Sequence, residues 1–249
     1  MKKFISGIFA LAMVAVWAKT GFSATRIKTN ENAVTLENVL AWDTVPGVGD
    51  IASWTAVQTT ASTVGLGAVT TWQGILVGNP GGNVTIAAGN TLTLGAAATD
   101  IDLTSADADT LTINAGMVLG AANVWDVNAA RSLTIGGNVS NGANLLTVQG
   151  AGNTTISGIL GAGAGGLTKD GAGALTLSGA NTYTGATTLT AGTLRLSVAG
   201  ALGGNGSLSI ADEGVLDTIG AGNVTLTSTN AISIADDFTY TGTGGNDLN

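Results

Sequence analysis

Residues 166–196 read GLTKDGAGALTLSGANTYTGATTLTAGTLRL. Two short runs inside this stretch, Ala174-Leu175-Thr176-Leu177 and Thr193-Leu194-Arg195-Leu196, alternate an aliphatic with a polar residue. A period of two puts successive side chains on opposite faces of a strand, so each run buries a leucine pair and wets its Thr or Arg. Gly, Ala and Asn lie between the runs, as in tight turns. The second run restates the first, with Leu194 and Leu196 in the places of Leu175 and Leu177.

The same pattern extends in both directions. Upstream are Thr91-Leu92-Thr93-Leu94, Thr110-Leu111-Thr112-Ile113 and Ser132-Leu133-Thr134-Ile135; downstream are Ser207-Leu208-Ser209-Ile210 and Ala231-Ile232-Ser233-Ile234. Leu92 to Leu111, Leu111 to Leu133 and Leu175 to Leu194 are each a step of about 20 residues, which is a solenoid signal. Leu133 to Leu175 is two such steps, with Ile156 near the middle. Weaker runs fill the gaps: Ile101-Asp102-Leu103, Met117-Val118-Leu119 and Val124-Trp125-Asp126-Val127. Several strands per step predict a coil rather than a hairpin. Coils stacked at the inter-strand spacing give roughly eight turns and a rod near 40 Å long. Thr suits the wet face of a strand, and the scarcity of Pro (2 residues) suits a ladder that needs every N–H.

Gly-Leu-Thr-Lys, a Gly-rich turn, Leu-Thr-Leu-Ser-Gly, Asn-Thr-Tyr-Thr-Gly, Thr-Thr and Gly-Thr-Leu follow one another through 166–196. This order resembles the autotransporter-associated β-strand repeat of bacterial passenger domains. Ala174, Ala186 and Leu189 stand where Thr, Gly and Val are more usual. Residues 83–160 resemble, more loosely, the region that flanks such repeats. The resemblance implies a right-handed parallel β-helix, display on or release from a diderm bacterial surface, and adhesin-like or structural roles. It implies no catalytic residue and no cofactor. It also implies a downstream anchor or membrane barrel, so the chain is expected to be an N-terminal fragment of a longer protein.

The N-terminal part is different. Lys2 and Lys3, the apolar run Phe4–Ala18 and small residues up to Ala24 predict a removable signal peptide over 1–24. Residues 25–80 hold Trp42, Trp54, Trp72 and both prolines, Pro46 and Pro80. They are read as an N-terminal cap with the first irregular coils, and 81–249 as the β-helix repeats. Capping protects the open edge of a solenoid. The alternative for these tryptophans is an aromatic platform for sugar rings.

Composition excludes several functions. There is no Cys and no His, which removes Ser-His-Asp and Cys-His nucleophiles and the common zinc sites. Beyond residue 28 only Arg131, Lys169 and Arg195 are basic, against all 16 acidic residues, a net charge of −13. Nucleic acids and anionic membranes need a basic face, so neither is an expected partner. The mature segment is expected to make no membrane contact; surface glycans or other cells are the expected partners.

The densest acidic patch is Asp100, Asp102, Asp107 and Asp109. Asp100 with Asp102, and Asp107 with Asp109, would share a face if extended. They are candidates for calcium, which needs six to eight oxygens, or for a carboxylate pair acting on glycosidic bonds, against the plainer reading of a solvated turn. Gly161-x-Gly163-x-x-Gly166 matches a dinucleotide fingerprint by letter but precedes a strand repeat, not a helix. Gly244-Gly245-Asn246-Asp247 is one incomplete calcium nonapeptide. Asn-x-Ser/Thr at Asn83, Asn138, Asn153, Asn205 and Asn223 marks turns. Thr-x-Thr pairs such as Thr91/Thr93, Thr110/Thr112 and Thr225/Thr227 resemble ice-binding arrays, but the uneven steps between runs argue against a flat one. The expected protein is therefore an exported structural or adhesin-like stalk and not an enzyme. A carbohydrate-binding or carbohydrate-active β-helix is the alternative.

Overall fold

A computed structural model describes residues 25–27 (backbone only), 49–54, 61–78, 80–95, 99–161, 163–204, 206–219, 231–235 and 237–242. The signal peptide expected over 1–24 lies outside them, as do Trp42, Pro46, Asn205, Asn223, Thr225/Thr227 and Gly244–Asp247.

Every regular element among the described residues is a strand. After β1 (Thr25–Ile27), the first coil is β2 (Ile51–Trp54), β3 (Ser62–Val64) and β4 (Thr70–Trp72). The next four coils are β5 (Gly74–Val77), β6 (Val84–Ile86), β7 (Leu92–Leu94); β8 (Ile101–Leu103), β9 (Thr110–Ile113), β10 (Met117–Leu119); β11 (Asn123–Val127), β12 (Ser132–Ile135), β13 (Val139–Ser140); and β14 (Leu146–Gly150), β15 (Asn153–Ile156), β16 (Leu160–Gly161). From there each coil has two strands among the described residues: β17 (Leu167–Lys169) and β18 (Ala174–Leu177), β19 (Thr187–Leu189) and β20 (Thr193–Leu196), β21 (Leu208–Ile210) and β22 (Val215–Thr218), β23 (Ile232–Ile234) and β24 (Thr239–Thr241).

These strands stack into three parallel sheets of ten, nine and five strands. The first sheet runs β1-β2-β5-β8-β11-β14-β17-β19-β21-β23, the second β3-β6-β9-β12-β15-β18-β20-β22-β24, and the third β4-β7-β10-β13-β16. The fold is a parallel β-solenoid. Crossovers between parallel strands are right-handed in about 98% of cases, the hand the resemblance implies. Within the segment 25–80, read as a cap with the first irregular coils, β2 pairs in parallel with β5.

Alternation builds the core. Strand after strand shows buried–intermediate–buried residues, as in β6, β7, β8 and β10. The buried residues line up in columns, one per coil. In the second sheet Leu111, Leu133, Thr154, Leu175, Leu194 and Leu216 are successive partners. Fully burying a Leu or Ile contributes about 1.5–3 kcal/mol, so each added coil extends the core by a fixed increment.

Two expectations change. The step from Leu92 to Leu111 is not a coil repeat. Leu92 lies in the third sheet and pairs with Met117, whereas Leu111 lies in the second and pairs with Leu133. True coil steps are uneven: Val84 to Leu111 is long and Leu175 to Leu194 is short, and the difference is absorbed in corners. Trp54 and Trp72 are not a surface platform. They are 0% and 1% exposed and meet edge to face, with ring centroids 6.5 Å apart. Trp125 is equally buried.

Corners are closed by asparagine and glycine. The side-chain oxygens of Asn83, Asn138 and Asn153 accept the N–H groups of Thr110, Ile159 and Ala174 one coil on, at 3.0, 2.9 and 3.0 Å. These are three of the Asn-x-Ser/Thr matches, and their amides serve the stack. Gly150, Gly171 and Gly192 occupy one corner of three successive coils, all with positive φ. The next position in that column is Glu213, the one positive-φ non-glycine among the described residues, with φ 60°. A Cβ on Gly171 would lie 2.5 Å from the Gly150 carbonyl oxygen, so glycine also lets the coils approach.

Candidate functional site

The four aspartates separate into different roles. Asp100 is fully buried, and its Oδ2 accepts the Val124 N–H at 2.8 Å, extending the ladder where the first sheet begins its coil. Asp102 closes a local turn, its Oδ1 accepting the Thr104 N–H at 3.0 Å and the Thr104 hydroxyl at 2.5 Å. Asp107 forms an ion pair with Arg131. Asp109 stands in the corner before β9, half-buried. No group of three or more His, Cys, Asp or Glu among the described residues is placed to hold a metal ion.

Arg131 is the residue the sequence left isolated. Its side chain is buried and reaches back through two coils. Nε donates to the Ser105 carbonyl at 3.1 Å and Nη2 to the Ser105 hydroxyl at 2.5 Å; Nη2 also meets the Gly78 carbonyl and Asp107 Oδ1. Burial pushes its pKa down and the Asp102 charge pulls it back up. Removing one partner from a buried pair costs about 3–5 kcal/mol. The group therefore ties three coils at one corner.

Residues 166–196 carry the second polar cluster. Lys169 faces inward in an aliphatic column between Val148 and Leu189. Its Nζ donates to the carbonyls of Asp170 and Gly171, both at 2.6 Å, and of Ala191 at 3.2 Å. Burial lowers its pKa to about 8, with Asp170 opposing. The ammonium joins two successive corners.

Asn181 and Tyr183 stand where a third strand is missing. Asn181 Oδ1 accepts the Leu160 N–H of the coil before at 2.8 Å, and its Nδ2 donates to the Ala201 carbonyl of the coil after at 2.5 Å. One side-chain amide thus makes both bonds that a backbone peptide would make in the ladder. Tyr183 is 0% exposed and its hydroxyl bonds the Thr187 hydroxyl at 2.7 Å. Burial raises its pKa to about 12, partly opposed by that bond. The Gly161-x-Gly163-x-x-Gly166 letters fall between β16 and β17, where a Cβ on Gly165 or Gly166 would crowd a neighbouring coil.

The outer faces differ in charge. On the first sheet Asp102 and Asp126 are register partners, and Gln149 donates to Asp126 at 2.8 Å. On the second sheet the outward positions are mostly threonine, until Arg195 and its register partner Asp217 form an ion pair at 3.1 Å.

Residues 167–196 match the family described as passenger-associated-transport-repeat. No curated protein and no solved structure matches the chain. The matched residues are those whose Lys, Asn and Tyr side chains knit the two-strand coils. A family of autotransporter passenger repeats implies export to the cell surface or secretion. The repeat at 167–196, set within a parallel β-solenoid, fits an autotransporter passenger repeat protein.

Proposed function

We propose that this chain is a passive structural segment of an exported passenger, a surface or secreted stalk with adhesin-like contacts and no catalytic activity. The observation that carries this reading is the continuous ladder. The ten strands of the first sheet, at about 4.8 Å each, make a rod roughly 43 Å long from small residues. Its charged and polar side chains support the same reading, because Asp100, Arg131, Lys169 and Asn181 are all spent on joining coils. The absence of His and Cys removes the usual nucleophiles and bases. The buried tryptophans weaken the carbohydrate alternative by withdrawing its stacking platform.

The test is display. The chain is placed upstream of a membrane barrel in a diderm host, and intact cells are probed for antibody access, external protease resistance and binding to glycans and to other cells. Surface exposure with a protease-resistant core and cell or surface adherence is the expected result. Retention in the periplasm, or hydrolysis of a glycan by the purified chain, would overturn the reading.

A further inference from the structure

The outer face of the second sheet carries one threonine per coil for six coils. Thr63, Thr85, Thr112, Thr134, Thr155 and Thr176 are successive register partners. Their spacing in sequence is uneven, with Thr85 to Thr112 the longest step, which is why the chain alone argued against a flat array. The pairing removes that objection. It is residue to residue through all six coils, and the surplus residues lie in the corners. At the first position of β9, β12, β15 and β18, two residues before the threonine, Thr110, Ser132, Asn153 and Ala174 make a second column of uncharged side chains.

The threonine column therefore repeats by about 4.8 Å along the solenoid, and in four of its six coils a smaller uncharged column flanks it about 6.6 Å away along the strand. Each threonine offers a hydroxyl that donates and accepts and a β-branched methyl. The ladder fixes the backbone beneath, so little freedom is lost on contact.

Its chemistry narrows the partner. The chain is strongly acidic, yet β3, β6, β9, β12, β15 and β18 hold no charged and no aromatic residue. Asp102 and Asp126 stand on the first sheet instead, and Asp217 lies on the second sheet beyond the threonine column, paired with Arg195. A neutral face does not select ions or charged polymers, and a face without aromatics does not stack sugar rings. A soluble ligand would touch two or three threonines and gain nothing from six. A neutral lattice of donors and acceptors with a similar repeat would gain at every coil. We propose that this face binds ice, with rows of hydroxyls and methyls ordering water in register with the crystal. The inference goes beyond the stalk reading and does not rest on it, since a rod that ignores ice can still project a surface.

The test is partition of the purified chain into a slowly growing ice front, with thermal hysteresis and inhibition of ice recrystallisation read alongside. The chain is expected to enter the ice fraction and to slow recrystallisation. Thr134→Lys and Thr155→Lys put a strongly hydrated ammonium on the face and should cut ice-bound protein by roughly tenfold or more. Thr188→Lys, on the first sheet, should not. Circular dichroism shows that each variant is folded. If a lysine variant unfolds, the double substitution Thr134→Val and Thr155→Val keeps the shape and carries the test, with a smaller loss expected. Exclusion of the folded chain from ice would overturn the proposal. So would equal partition of the face variants and Thr188→Lys, or binding to crystalline cellulose with none to ice.

Discussion

Among the described residues, each coil from Ile51 to Gly161 has three strands and each from Leu167 to Thr241 has two. The first region closes its third side with backbone, in the five-stranded sheet β4-β7-β10-β13-β16. The second has no regular strand there at residues 181–184: backbone bonds still run to both neighbouring coils, Thr182 N–H to the Leu160 carbonyl and Asn181 N–H to the Gly200 carbonyl, and the Asn181 side chain adds one more each way. The core follows the same division: Trp54, Trp72 and Trp125 fill the three-strand coils, and Tyr183 fills the first two-strand one. Coil length does not follow the division: the register steps from Leu167 to Thr187 and from Leu175 to Leu194 are short, but the step from Leu208 to Ile232 equals that from Ile101 to Trp125. A solenoid can therefore lose a regular strand on one side and keep its coils joined, here by a few backbone bonds reinforced by one amide and one buried ring.

The comparison can be broken first at the ring. Tyr183→Ala removes a fully buried side chain that the two-strand coils depend on, and should cost about 3–5 kcal/mol in a denaturant melt. Amide exchange should speed up in residues 167–204 more than in 101–150. Equal acceleration in both regions would mean that the ring does not define the second one.

Next is the amide. Asn181→Ala leaves the Leu160 N–H and the Ala201 carbonyl without their partner, for a loss of about 2–3 kcal/mol. Asn181→Asp sets a buried carboxylate oxygen against the Ala201 carbonyl and should destabilise at least as much as Ala near neutral pH.

A smaller effect sharpens the picture. Tyr183→Phe keeps the ring and loses one hydroxyl bond, about 1 kcal/mol. It should also change the response to alkali. The folded pKa of Tyr183 is raised to about 12 from an ordinary 10.0, so its contribution is fully present below pH 10 and is lost as pH climbs from 10 towards 12, where the unfolded phenol gives up its proton before the folded one does. Urea midpoints at about pH 9 and about pH 11 should separate less in the Phe variant than in the native chain.

The smallest concerns the corner column that crosses into the last coils. Glu213 has φ 60° where Gly150, Gly171 and Gly192 precede it. Glu213→Gly relieves left-handed strain but adds freedom to the unfolded chain. The net should be a gain of about 0.5 kcal/mol, visible as a slightly higher melting temperature.

Strand type and inward faces were legible because alternation is local: Leu175, Leu177, Leu194 and Leu196 are all buried as their pattern requires. Sheet membership was not. Thr91–Leu94 and Thr110–Ile113 look alike as letters, yet one lies in the third sheet and one in the second. Only pairing distinguishes them, and corner length hides the period. The polar cluster was the least legible. Arg131 and Lys169 are charged residues in buried positions, and their partners Ser105, Gly78 and Ala191 lie one or two coils away along the chain. The same holds for the asparagines, whose sequon letters gave no sign that their amides bridge coils. Aspartates adjacent in sequence were read as one patch, but stacking sends Asp100 to Val124 and Asp107 to Arg131.

The central claim is that one in-register ladder runs through both regions. It is tested most directly by a distance between spin labels at Thr85→Cys and Arg195→Cys, one in each region. Both positions face outward in the second sheet and are five coils apart by register, through Thr112, Thr134, Thr155 and Thr176. The ladder predicts a single narrow distribution centred near roughly 24 Å, widened only by the label arms. A broad distribution, or one centred beyond roughly 40 Å, would contradict a continuous stack.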